Sequence, residues 1–110
     1  RWAMREQQIQ QLILARLGAE PGLTLWRNNT GAMVDARGQL VRYGQPGSAD
    51  LLGLVSPAGR FVALEVKRPG GRQTALQRSW QAMVERHGGV YVVVTSVEQA
   101  VAELEARGVL

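Results

Sequence analysis

The run VYVVVT, from Val90 to Thr95, offers no polar face. A half-buried strand alternates apolar and polar side chains, so a short stretch without alternation has the pattern of a strand covered on both sides. Helices flank it in the sequence. Thr74 opens one whose apolar stripe is Leu76, Trp80, Met83 and Val84, stopped by Gly88 and Gly89, and Ser96 with Gln99 forms a capping box for another that ends at Gly108.

Upstream, residues 5–17 (REQQIQQLILARL) place Ile9, Leu12, Ile13 and Leu17 at helical spacing, with Gly18 at the C-terminal position. LTLWRNN, Leu23 to Asn29, alternates like a half-buried strand, and GAMV, DARG and QLVRY read as a hairpin about a glycine turn. After the loop GQPG, SADLLGLV (48–55) and RFVALEVK (60–67) form a further hairpin around the turn SPAG, followed by the basic loop RPGGR. The order is helix, three or four strands, helix, strand, helix. The expected fold is therefore α/β, a mixed sheet flanked by helices in the order α-β-β-β-α-β-α, forming one domain over residues 1–110.

Composition narrows the chemistry. With no cysteine and a single histidine, His87, the chain excludes disulfides, zinc clusters and cysteine nucleophiles, so any metal is held mainly by oxygen. No apolar stretch approaches the ~20 residues of a membrane span, and no apolar run precedes a cleavage site, so a cytoplasmic setting without membrane is expected. Arg1, Trp2 and Ala3 precede Met4, a possible start. A net charge of +4 and a pI near 10.7 suit an anionic partner such as nucleic acid, and equally a merely basic soluble protein, so charge alone does not decide.

Against twelve arginines stands one lysine, Lys67, two residues after Glu65 at the end of an apolar run. If Ser56 to Gly59 is the turn, Val55 pairs with Arg60 and Asp50 falls opposite Glu65. Phe61, Ala63, Glu65 and Lys67 then share a face, while Val62, Leu64 and Val66 point into apolar packing. Directly opposed like charges destabilise a sheet. A divalent cation offsets that repulsion, and Mg²⁺ or Mn²⁺ prefers hard oxygen: Asp50, Glu65 and the backbone carbonyl of Val66. Lys67 could hold or deprotonate a water there, or stabilise charge on a phosphate, and its compact ammonium suits that task better than a guanidinium. The plainer alternative is a surface Glu-x-Lys pair on an edge strand.

GSAD at 47–50 followed by EVK at 65–67 resembles the PD-(D/E)xK signature of restriction-endonuclease-like nucleases. EQQIQ at 6–10, WRNNTG at 26–31, RYGQPGSAD at 42–50, GRFVALEVKRPG at 59–70, Gln77 and the pair Gly88-Gly89 together resemble a stand-alone virus-type replication-repair nuclease (VRR-NUC) domain. Ala49 stands where the signature has proline, a position that supplies no ligand. The resemblance implies a restriction-endonuclease-like core and a metal-dependent DNA endonuclease, with Asp50 and Glu65 as metal ligands and Lys67 as the catalytic lysine. It further implies Glu6 as an additional acid near the metal and Gln77 as an active-site helix residue. Selectivity for branched DNA such as four-way junctions, and a homodimer, are expectations from the same likeness.

Local readings stand beside these roles. Gln77 is also the far half of a capping box begun by Thr74, Glu6 a first-turn acid aiding the helix dipole, and His87 a C-terminal dipole contact. Arg27, Arg42, Arg68, Arg72 and Arg78 cluster in sequence around the site as phosphate contacts would, unless they are scattered solvated charges. Asn28, Asn29 and Thr30 either bond a nucleic-acid backbone or form a turn. Two further classes remain: a non-catalytic nucleic-acid-binding module, and a nuclease subunit that needs a partner protein.

Overall fold

The computed structural model describes residues 4–110, so Arg1, Trp2 and Ala3 lie outside it. The elements run α1 (Glu6–Leu17), β1 (Leu23–Arg27), β2 (Gly31–Val34), β3 (Leu40–Tyr43), β4 (Leu51–Val55), β5 (Arg60–Val66), α2 (Ala75–Arg86), β6 (Val90–Val94) and α3 (Val97–Ala106). Four strands form a sheet in the order β1-β4-β5-β6, while β2 and β3 form a separate two-stranded sheet. Pairing is antiparallel from β1 to β5 and parallel between β5 and β6, which makes the sheet mixed. Setting the hairpin aside, the core order is α-β-β-β-α-β-α; five strands rather than three or four separate α1 from α2.

β6 is covered on both sides, as its unbroken apolar run requires. Val90, Val92 and Val94 enter a core with Val62, Leu64 and Val66 of β5 and with α1 and α3. Tyr91 and Val93 enter a smaller core with Ala63, Val84 and Trp80, on the α2 side. The stripes on the helices are narrower than their sequences suggest. Ile9, Ile13 and Leu17 of α1 are buried but Leu12 is 45% exposed, and on α2 only Val84 is buried while Leu76 is 60% exposed. Each helix meets a sheet along one line, so the residue at the margin of the stripe has nothing to pack against.

The cap of α3 also departs from expectation. Ser96 Oγ accepts from Gln99 N at 3.0 Å, but the Gln99 side chain accepts from Thr95 N at 2.6 Å and Thr95 Oγ1 at 3.0 Å, one residue earlier than a capping box would have it. In the β2–β3 hairpin, Asp35 Oδ1 accepts from Arg37 N at 2.8 Å and Gln39 N at 2.9 Å, and Gly38 supplies φ +79°. This turn chemistry closes the hairpin without help from a core, and every residue of both strands is exposed. No helix among the described residues is long and apolar enough to cross a membrane.

Candidate active site

The β4–β5 register is the expected one: Val55 faces Arg60 and Leu51 faces Leu64, so one step further Asp50 faces Glu65. β4 itself starts at Leu51 rather than Ser48, because the main-chain ladder with β5 there gives way to a side chain. Asp50 Oδ2 accepts from Val66 N at 2.7 Å. Val62, Leu64 and Val66 face the α1 and α3 side, which leaves Ala63, Glu65 and Lys67 on the α2 side.

Glu65 is 3% exposed. Its Oε2 accepts from Gln77 Nε2 at 3.1 Å and lies 3.6 Å from Lys67 Nζ, whereas Oε1 is buried with no partner. Burial, followed by the charge of Asp50, pushes the Glu65 carboxyl up to about 8, with Lys67 acting against the rise. Burial raises Asp50 as well, opposed chiefly by the Val66 N–H and aggravated by Glu6. Burial and mutual repulsion thus hold both carboxyl groups above their ordinary range in spite of the Lys67 ammonium beside them.

Local folding supplies the positions. Asn28, just past β1, donates its Nδ2 to Ser48 Oγ at 2.9 Å and to Ala49 O at 2.8 Å, and its own N–H reaches Asp50 O at 2.8 Å. The segment leading to Asp50 is thereby tied to the edge of the sheet. Gly47, at φ +81°, passes so close to α2 that a Cβ there would lie 2.5 Å from Leu76 O. On the other flank, Gln77 makes two sets of contacts. Its Oε1 accepts from Thr74 N at 2.8 Å and its N–H reaches Thr74 Oγ1 at 3.2 Å, completing the capping box, while Nε2 holds Glu65.

The donor set fits a hard divalent ion. Two carboxylates meet at the end of a strand pair, one with an orphaned buried oxygen, which is what a Mg²⁺ or Mn²⁺ ligand set would fill. Among the described residues no third acidic or imidazole ligand joins them, so backbone carbonyl and water would complete the coordination. Glu6 therefore does not complete a cluster with Asp50 and Glu65. Its Oε2 accepts from Arg68 N at 3.2 Å and stands 4.0 Å from Arg68 Nε, at the rim.

The arginines do not form one set. Arg68 and Arg72 line a groove with Glu6 and Lys67, and Arg78, on the first turn of α2, donates to Gln73 O at 2.8 Å. Arg42 sits instead on the separate hairpin, and Arg27 pairs with Leu51, whose side chain faces α1 and α3. Asn28 spends its amide on the protein's own loop, while Asn29 is exposed. His87 makes the expected helix-end contact, Nδ1 to Met83 O at 2.8 Å. Sequence reasoning missed the Asn28 clamp. Its signal was the pattern Asn-Asn-Thr-Gly after a strand, which fits a turn equally well.

A mixed sheet with helices on both faces, and two carboxylates and a lysine at the mouth of one of its strand pairs, defines a nuclease-type domain. The VRR-NUC domain profile matches residues 4–98, nearly all of the chain, and the chain belongs to that family. No curated protein matches it.

Proposed function

We propose that this domain is a Mg²⁺- or Mn²⁺-dependent DNA endonuclease. The observation that carries the reading is the unpartnered buried Oε1 of Glu65 opposite Asp50, with Lys67 Nζ 3.6 Å from the other Glu65 oxygen. The bound ion would offset the repulsion between the carboxylates and polarise the scissile phosphate. Asp50, Glu65 and the Val66 carbonyl would hold it. Gln77 fixes the Glu65 carboxylate through Oε2 and leaves Oε1 unengaged, and Asp50 is fixed by the Val66 N–H. Lys67 is 13% exposed at its side chain, shielded enough for its charge to act strongly, and it orients the attacking water or meets the charge growing on the phosphate. Arg68 and Arg72 would position the backbone from the groove beside it.

The substrate we favour is branched DNA of the four-way-junction kind, cut by a homodimer whose paired sites match two symmetric strands. The hairpin supports this with exposed apolar residues, Met33, Val34, Leu40 and Val41, available for burial against a second copy. The test is cleavage of labelled junction, flap, single-stranded and duplex DNA with Mg²⁺, with light scattering for the subunit count. Lys67→Ala and Glu65→Ala proteins should lose cleavage by ~10²-fold or more; unchanged cutting by either refutes the assignment. DNA binding without cleavage by the unaltered protein would instead mark a binding module or a subunit awaiting a partner.

A further inference from the structure

The face of β5 that carries Glu65 and Lys67 continues back to Phe61, where it opens into a cavity of about 480 Å³. Its walls are Phe61, Trp80, Met83 and Val84, and its rim carries Arg60, His87 and Gln45. That volume lies within the ~300–1,000 Å³ usual for small-molecule sites. The aromatic wall is fixed: Trp80 packs edge-on to Phe61 with ring centres 6.2 Å apart, leans on Tyr91 at 6.1 Å, and donates its Nε1 to Gln45 Oε1 at 2.8 Å. The rim is basic. Arg60 is anchored by Nε to Gly88 O at 3.1 Å, and among the described residues it makes no salt bridge.

We propose that this cavity takes one unstacked nucleotide of the DNA being cut, its base against Trp80, Met83 and Phe61 and its phosphate at Arg60. Apolar and aromatic walls with a cationic rim suit a flat ring tethered to an anion. A purely apolar ligand would leave the guanidinium unanswered. The cavity lies on the same α2-facing side of the sheet as the proposed site, at the other end of β5. Trp80 follows Gln77 by three residues and so shares its side of α2, and Gln77 holds Glu65. Phe61 precedes Glu65 by four strand residues, roughly 13 Å. At ~3.4 Å per stacked nucleotide, the captured base lies within about four nucleotides of the phosphate at the carboxylates. Branched DNA offers unpaired, easily unstacked bases at that range, whereas a continuous duplex must first be opened. The cavity is therefore a source of structure selectivity. This inference rests on the nuclease reading for its substrate, but its test does not.

The probe is a branched DNA duplex with 2-aminopurine walked outward from the branch point, titrated in EDTA with unaltered protein and in Mg²⁺ with Lys67→Ala protein. One position should show an emission change of at least about twofold that more distant positions lack, in both settings. Met83→Asp, which puts a charge into the wall, and Arg60→Ala, at an exposed rim site, should each weaken binding by roughly tenfold. Circular dichroism checks the fold of both. Equal emission at every position, or unaltered binding by the two variants, overturns the proposal. So does concentration-dependent loss of the Gly88 and Gly89 amide signals without DNA, which would mean that a second copy fills the cavity. Loss of cleavage with the emission change intact removes the nuclease reading alone.

Discussion

Replacing Glu65 by glutamine should change how the stability of the protein depends on pH. The Glu65 carboxyl titrates near 8 in the fold against an ordinary 4.5, chiefly because it is buried and because Asp50 stands opposite. Between those values the unfolded chain has released this proton and the folded chain has kept it, so each pH unit of increase costs the fold about 1.4 kcal/mol. The whole interval is worth at most about 5 kcal/mol. Against the ~5–15 kcal/mol total for a domain of this kind, that is easily measured. Urea unfolding of the metal-free protein should show stability falling from pH 5 to pH 8 and levelling above, with this part of the profile flattened in Glu65→Gln. Magnesium should reverse the fall at pH 8 and do little at pH 5, because it competes with the proton for the same oxygens. Parallel pH profiles for the two proteins would refute the argument from burial and repulsion.

Four other substitutions separate positioning from chemistry. Thr74→Ala should cost about 1 kcal/mol of stability through the lost cap and leave cleavage of branched DNA nearly intact, whereas Gln77→Ala should cost a similar amount and lower kcat as well, since only Gln77 also holds Glu65. Asn28→Ala removes two side-chain bonds to the Ser48–Ala49 segment and should cost about 1–3 kcal/mol in urea unfolding, with reduced cleavage but the same salt dependence of DNA binding. Gly47→Ala should be the most damaging, above about 2 kcal/mol by thermal unfolding, because a left-handed φ is combined with a clash against the main chain of Leu76. Equal unfolding curves for Gly47→Ala and the unaltered protein would refute the close approach.

What the sequence made legible was local or periodic. Strand alternation and a four-residue turn are enough to bring Asp50 opposite Glu65 and to put Lys67 on their face, since a slip of one residue would have turned Val62, Leu64 and Val66 outward. The capping role of Gln77 was readable from its spacing to Thr74, whereas its place beside Glu65 came only with the family resemblance, and the structure joins the two contacts in one amide. What stayed hidden depends on distant partners. Nothing around Asn28 announces that its amide will meet a loop twenty residues on, or that Arg27 will lie across the sheet from the carboxylates. Nor does alternation in β2 and β3 tell a hairpin that stands alone from two strands of the main sheet. The cavity beside Phe61 was equally unreadable, because Trp80 and Met83 look in sequence like any buried stripe.

Strand order has a further consequence. β4 and β5 are the two inner members of β1-β4-β5-β6, and Glu65 and Asp50 hang from β5 and from the residue that leads into β4. Opening at either margin, or remodelling of the β2–β3 finger, leaves those two rails paired with each other. Amide exchange should be slowest along them, and insertions or fusions placed in the exposed finger should be tolerated while the chemistry is retained.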